Sequence, residues 1–197
     1  MPDDLHWFTS RLRDYVSVTD DQATVLFEHY ELLKRWNQRI NLTSIKEPDE
    51  IVVRHYAESL FFAVHLPDAR AGTTIADIGS GAGFPGVPMA VLRPDWSVTL
   101  VESHQRKAVF LRESTRGIQN VRVIAERAER LTAQFDWIVS RAVSPQSVLA
   151  LVPKLSRRVG LLVSHSELDA IGFVLSNAIP IAWADQEICA FNVSRGT

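Results

Sequence analysis

Asp77, Gly79, Gly81 and Gly83 stand at alternate positions in TTIADIGSGAGFPGVPMAVLR, the stretch from Thr73 to Arg93. Glycines spaced in this way let a backbone turn sharply, with φ > 0 where the turn needs it, and let a ligand lie against bare main chain. An apolar run (Ile75, Ala76, Ile78) leads into them, and a short helical pattern with Pro85 and Pro88 comes next. Proline fits the first helical turn because the N–H it lacks has no partner there. The order strand, glycine turn, helix marks the first unit of a nucleotide-binding α/β sheet. Asp77 adds an acid near the carboxyl end of that strand, beside the expected ligand. A second acid, Glu102, ends the apolar run Val98–Val101, 23 positions after Gly79. A carboxylate there can accept hydrogen bonds from both hydroxyls of a ribose.

NAD sites and S-adenosylmethionine (AdoMet) sites share that geometry. Gly81, Gly83 and Gly86 also spell G-x-G-x-x-G, but the frame that begins at the strand end, from Gly79, has Phe84 where a third glycine belongs. D-x-G-x-G-x-G resembles motif I of the class I AdoMet methyltransferases instead.

The rest of the chain has to position these groups. Leu5, Phe8, Leu12 and Tyr15 predict a short amphipathic helix over residues 3–16. Thr19 and Gln22 form a capping box for a second helix, with Val25, Leu26, Tyr30, Leu33 and Trp36 at helical spacing through Ile40. Asn41 to Ser44 reads as a turn. A third helix starts at Glu47-Pro48-Asp49 and brings Arg54, His55 and Glu58 within one turn of each other. Pro67 to Gly72 marks the boundary between a helical extension, residues 1–70, and a sheet domain, residues 71–197, packed as one compact unit.

Beyond Glu102, Arg106, Lys107, Phe110, Leu111, Arg112 and Arg116 lie on a basic helix with Gly117 as its C-cap. Strands are expected at Val121–Ala125, Phe135–Val139, Val159–Ser164, Ile181–Ala184 and Ile188–Val193. Helices are expected from Ser144 to Leu155 and from Glu167 to Ala178. Alternating strands and helices give a parallel sheet with its ligands at the carboxyl edge and a last strand that can run antiparallel.

Composition sets outer bounds. Hydrophobic residues make up 46% of the 197, enough for a sizeable core. The longest purely apolar run, Leu60 to Val64, is too short to span a bilayer. The stretch from Asp3 is acidic, without a signal-peptide pattern, and Cys189 is the single cysteine, so a cytoplasmic protein is expected. The six histidines are scattered and suggest no metal site. Charge is unevenly spread: residues 32–158 carry eighteen basic and twelve acidic groups, between two acidic ends. A basic middle of that kind is a footprint for a phosphate backbone.

WNQRINLTSI, VVRHYAESL, IADIGSGAGFPGVPMAVLRPDWSVTLVES, RKAVFL and FDWIVSRAV, in that order from Trp36 to Val143, resemble one family: the bacterial small-subunit ribosomal RNA guanine-N-7 methyltransferases (RsmG, or glucose-inhibited division protein B). The resemblance implies a Rossmann-like class I AdoMet-dependent sheet behind an N-terminal helical extension. It implies methyl transfer to N-7 of one guanine of 16S rRNA, guanine-527 in the usual numbering. Carried over, AdoMet would touch Gly79 and Phe84 in the loop that also holds Asp77, Gly81 and Gly83. Glu102 would take the ribose, Ala128 and Glu129 would lie near the adenine, and Arg141 would complete the pocket. Phosphates of the RNA would draw on Arg54, His55, Arg106, Lys107, Arg112 and Arg127. The expected partner is 16S rRNA within the small ribosomal subunit, and the expected state is a monomer. Two departures stand out. Glu58 and Glu102 replace the family's usual Asp, and Ser164-His165-Ser166 stands where the family commonly has a Lys-Gly step.

The chemistry suits the residues. Guanine N-7 offers a lone pair and has no proton to remove, so alignment matters more than a general base. The chain carries neither the N-P-P-Y motif that positions exocyclic amines nor a Pro-Cys nucleophile pair. The other readings are an AdoMet-dependent enzyme acting on a small molecule, which would not need the basic helix, a non-catalytic AdoMet-binding protein, and an NAD oxidoreductase.

Overall fold

The computed structural model describes residues 4–164, 167, 178–184 and 186–192. Helix α1 (Leu5–Arg13) begins at Asp4, whose carboxylate accepts the Trp7 N–H. Helix α2 (Asp20–Asn37) begins with the expected capping box between Thr19 and Gln22. It stops short of Ile40 because Asn37 turns its amide on the next segment. Its Oδ1 accepts the N–H groups of Leu42 and Thr43, and its Nδ2 donates to the Thr43 carbonyl. One side chain therefore folds the Asn41-Leu42-Thr43 turn. The third helix is continuous but not uniform: α3 (Pro48–Ile51), a π-helical stretch Val52–Ala57, then α4 (Glu58–Val64).

From Thr74 onward, strands and helices alternate as expected. Strand β1 (Thr74–Ile78) is followed by α5 (Gly86–Leu92), β2 (Ser97–Val101), α6 (Gln105–Ser114) and β3 (Val121–Ile124). Then come β4 (Trp137–Arg141), α7 (Pro145–Leu149), α8 (Val152–Leu155), β5 (Arg158–Val163), β6 (Ala178–Pro180) and β7 (Glu187–Asn192). The seven strands lie in the order β3-β2-β1-β4-β5-β7-β6. The first five run parallel, and β7 is antiparallel to both β5 and β6. Strand β1 pairs with β2 on one side and β4 on the other, so the chain reverses its direction of progress beside β1. The crevice outside the carboxyl ends at such a reversal is where open α/β sheets bind ligands.

Both faces of the sheet are covered. On one, Phe8, Leu12, Leu26, Tyr30, Tyr56 and Leu60 of the helical segment share a core with Ile75, Leu100, Trp137 and Leu162. On the other, Ala76, Ile78, Val101 and Ile138 pack against Val148, Val152 and Leu155. The N-terminal helices thus bury the sheet face that carries Ile75 and, two residues on, Asp77.

Several boundaries differ from those expected. Helix α6 ends at Ser114, where Thr115 Oγ1 donates back to the Leu111 carbonyl at 2.6 Å; Gly117 lies beyond the end and is not its cap. Strand β4 begins at Trp137 rather than Phe135: the Phe135 amide donates to the Leu155 carbonyl, away from the sheet, and the Asp136 carboxylate accepts the Thr74 N–H and hydroxyl. The helix expected from Ser144 to Leu155 is broken in two. Pro153 has no N–H to offer the turn before it. Residues 181–184 form a turn closed by Ala184 N–H to Ile181 O, and the strand lies earlier, at Ala178–Pro180. The helix expected over Glu167–Ala178 falls outside the described residues except at its two ends, as do His165, Ser166 and Val193. Among the described residues no helix is long and apolar enough to cross a membrane.

Candidate functional site

The glycine loop is held from below by two carboxylates. The Gly79 and Ser80 amides both donate to the Val101 carbonyl, pinning the turn to the end of β2. One residue on, Glu102 accepts the Gly81 N–H through Oε2 at 3.0 Å and the His104 N–H through Oε1 at 2.6 Å. Asp77 accepts the Gly86 N–H at 3.0 Å, tying β1 to the start of α5. Burial raises the Asp77 carboxyl from 3.8 to about 7, against the Gly86 hydrogen bond, which lowers it. Its Oδ1 has no hydrogen-bond partner among the described residues.

The glycines do different jobs. Gly79, Gly81 and Gly83 all have positive φ, at 71°, 57° and 92°. A Cβ on Gly81 would meet only the Gly79 carbonyl, at 3.7 Å, so its outer side is open. On Gly79 a Cβ would run into the Val143 side chain, and on Gly83 into Val87. Gly86 has ordinary φ and is excluded from substitution by packing alone, since a Cβ would strike Leu100 and come within 2.7 Å of Asp77 Oδ2.

Phe84 anchors the loop in the helical layer. Its ring stacks on His55, centroids 4.7 Å apart at 14°, and meets Tyr56 and His29 edge-on. His29 Nδ1 lies 2.7 Å from the Tyr56 hydroxyl, and His55 Nε2 lies 2.7 Å from Thr43 Oγ1. Burial lowers His29 to about 4; burial, then the Arg141 and Arg54 charges, lower His55 to about 3. Both are therefore neutral rings at neutral pH.

Above the loop, at the carboxyl edge, lies a cleft of about 190 Å³. Ile78 and Gly79 at the end of β1, Val101 and Ser103 at the end of β2, Arg127 to Glu129 after β3, and Val143 and Leu151 after β4 line it. Val143 reaches it through a turn in which Ala142 has φ 59°, a conformation L-residues seldom adopt. Just before that turn, Arg141 Nη2 donates to Glu58 Oε2 at 2.8 Å, and Nη1 donates to the Arg54 carbonyl.

The structure thus brings Gly79, Ala128 and Glu129 to the cleft, with Glu102 and Gly81 joined at the base of its loop. Asp77, Gly83 and Phe84 lie beneath, shaping the loop, and Asp77 is fully buried. The Arg141 guanidinium turns to Glu58 and does not line the cleft. Of the residues expected at phosphates, Arg106, Arg112 and Arg127 are exposed, Lys107 is half-buried, and Arg54 is exposed but paired with Glu50 at 3.0 Å. His55 is half-buried, its ring flat on Phe84 and its Nε2 turned to Thr43. The sequence reading missed Val143, which carried no chemical signal, and His29, which did. His29 sits on the buried stripe of Leu26, Tyr30 and Leu33, where a polar residue needs a reason. Among the described residues no group of three His, Cys, Asp or Glu side chains could hold a metal ion.

The family described as rRNA small subunit methyltransferase G matches residues 22–164 of this chain. The ribosomal RNA small subunit methyltransferase G of Nitrosospira multiformis is 41% identical over 133 residues, covering 66% of this chain and 60% of that protein. The protein of the same name from Xanthomonas euvesicatoria is 36% identical over 177 residues, covering 84% of this chain and 78% of that one. The chain spans about 60% of the length of the first of these relatives. Among solved structures, the magnesium protoporphyrin IX methyltransferase of Synechocystis, with bound SAM, superposes with a TM-score of 0.57 at 14% identity, covering 91% of this chain and all of that one. At that identity the likeness speaks for the fold, a class I methyltransferase sheet.

Proposed function

This chain belongs to the rRNA small subunit methyltransferase G family, and on that premise we propose that it transfers a methyl group from AdoMet to N-7 of a single guanine of 16S rRNA. The observation that carries the reading is where the family match falls. Residues 22–164 include the glycine loop, the aromatic box beneath it and every residue that lines the cleft.

The residues present fit the cofactor. A nucleoside asks for an apolar slot, bare backbone and an acceptor for its hydroxyls. Ile78, Val101 and Leu151 supply the first, and Gly79 the second. Glu102 supplies the third. Each of its oxygens accepts one backbone amide, and a carboxylate oxygen has a second lone pair to offer. Ala128 and Glu129 would flank the adenine. AdoMet, when bound, supplies an electrophilic methyl group on a sulfonium.

The protein's part is then to align that methyl with an incoming lone pair and to keep water away. N-7 carries no proton, so no side chain has to act as a base. Gly81, open on its outer side, leaves room for close approach at the loop. Arg106, Lys107 and Arg112 on α6, with Arg127 on the rim, would grip phosphates on either side of the target base. On this reading the protein works in the cytoplasm, as a monomer, on 16S rRNA within the small ribosomal subunit.

The test is methyl incorporation from labelled AdoMet into 30S subunits lacking the modification, followed by mass spectrometry of the digested 16S rRNA. The expected result is N-7-methylguanosine at one guanine. No incorporation by a chain that binds AdoMet in calorimetry would overturn the substrate and leave a small-molecule enzyme or a non-catalytic binder.

A further inference from the structure

Among the described residues, a charged contact joins the helical layer to the end of β4, two residues before Val143 of the cleft lining. Glu58 lies at the start of α4, fully buried, and Arg141, with a side chain 10% exposed, ends β4. The guanidinium is gripped twice, by the Glu58 carboxylate and by the Arg54 carbonyl. That carbonyl is free to accept because of the π-helical stretch. In α-helical geometry the Glu58 amide would take it, but here Glu58 N–H donates one residue further back, to the Val53 carbonyl. The other oxygen, Glu58 Oε1, has no hydrogen-bond partner among the described residues.

The grip on Arg141 bears on the two residues after it. Ala142 takes the uncommon positive φ, and Val143 is thereby laid over Gly79 and into the cleft lining. A turn of that kind persists only where its surroundings hold it. The ion pair holds its near end.

We propose that Glu58 is a positioning residue for the cofactor cleft: by anchoring Arg141 it fixes the Ser140-to-Val143 turn against the glycine loop and so sets AdoMet affinity from within the helical layer. The proposal rests on the AdoMet reading given above. A buried ion pair that merely supports folding would lower stability when broken but would not change affinity in the molecules that stay folded.

The experiment is calorimetric titration of the full chain with AdoMet and with S-adenosylhomocysteine, alongside thermal unfolding. Glu58→Gln removes the carboxylate charge and leaves the Arg141 guanidinium only a neutral acceptor, and is expected to weaken both ligands about tenfold. Glu58→Asp keeps the charge on a shorter arm and should recover affinity to within about threefold of the parent. In an Arg141→Met background, Glu58→Gln should change affinity less than about twofold, since its route to the cleft is gone. Unchanged affinity in Glu58→Gln overturns the proposal, as does an equal loss in the Arg141→Met background. Should Glu58→Gln fail to fold, Arg141→Met decides alone: it breaks the same contact from the other side, is expected to weaken both ligands about tenfold, and parent affinity in it overturns the proposal. A parent chain that binds neither ligand overturns the cofactor reading itself, a result distinct from all of these.

Discussion

Asp77 offers a test of the loop's architecture that needs neither cofactor nor RNA. Its carboxyl is fully buried and is raised from 3.8 to about 7, burial being the main cause and the nearby Glu102 charge adding to it. A carboxyl raised in the folded state binds its proton more tightly there than in the unfolded chain. Its contribution to stability is complete below about pH 4 and is lost as pH rises to about 7. At about 1.4 kcal/mol per pKa unit, the whole loss is on the order of 4 kcal/mol. Asp77→Asn keeps the amide oxygen that the Gly86 N–H needs and removes the titration. His29 and His55, lowered to about 4 and about 3, act in the opposite direction: their stability is present above about 6.5 and lost as pH falls. Glu58, raised by burial to about 6 with Arg141 and Arg54 pulling it down, slopes the same way as Asp77. These groups are common to both proteins and drop out of the difference. Urea unfolding followed by tryptophan fluorescence at intervals from pH 4 to pH 8 measures it. Relative to the variant, the parent should lose stability across pH 4 to 7 and run parallel to it above. Curves parallel throughout would mean that Asp77 ionises normally, and would refute the claim that the loop is anchored on a neutral, desolvated acid.

Gly86→Ala should cost about 1–3 kcal/mol, because the new methyl group has no room between Leu100 and Asp77; a thermal midpoint equal to the parent's would refute the packing. Phe84→Ala empties a site enclosed by His29, His55 and Tyr56 and should cost about 3–5 kcal/mol in urea titration. A loss below about 1 kcal/mol would show that the box collapses readily onto the gap. Arg106→Glu together with Lys107→Glu should abolish RNA methylation while AdoMet affinity in calorimetry stays at the parent value, because both lie on α6 and neither lines the cleft. Undiminished RNA methylation would remove α6 from the RNA-binding surface.

The sheet and its carboxyl-edge site were legible because they rest on local signals. Three glycines at alternate positions after an apolar run announce a turn whatever surrounds them, and the Thr19–Gln22 capping box is complete within four residues. Gly79, Ala128 and Glu129 reach the cleft because strand order brings the ends of β1 and β3 to one edge. The illegible part depends on contacts distant in sequence. Nothing local says that Arg141 will meet Glu58, 83 positions earlier, or that the ring of His55 will lie flat on Phe84. Read by spacing, His55 beside Arg54 suggests a basic surface. Read by packing, the same ring is a neutral wall of the box. The burial of Asp77 was hidden for a related reason. Alternation along β1 puts it on the face of Ile75, which the N-terminal helices cover, and that covering layer is not visible from the motif alone.

These contacts assign a role to the helical layer that its apolar stripes do not suggest. The loop from Gly79 to Gly86 is closed on itself by the Gly83 and Phe84 amides, both donating to the Ser80 carbonyl, and pinned to β2 at the Val101 carbonyl; three further grips fix its middle and far end. Glu102 holds the Gly81 amide, Asp77 holds the Gly86 amide, and the box of His29, His55 and Tyr56 holds Phe84 between them. The third grip comes entirely from the N-terminal helices, and so does the Glu58 carboxylate that steadies the opposite wall. A loop held at both ends and in the middle loses little conformational entropy when a ligand settles on it, which is the larger part of what preorganisation contributes to affinity. Deleting the layer would therefore remove more than buried apolar area. It would free the two walls of the cleft from each other, and a sheet that still folded would be expected to hold its nucleoside weakly.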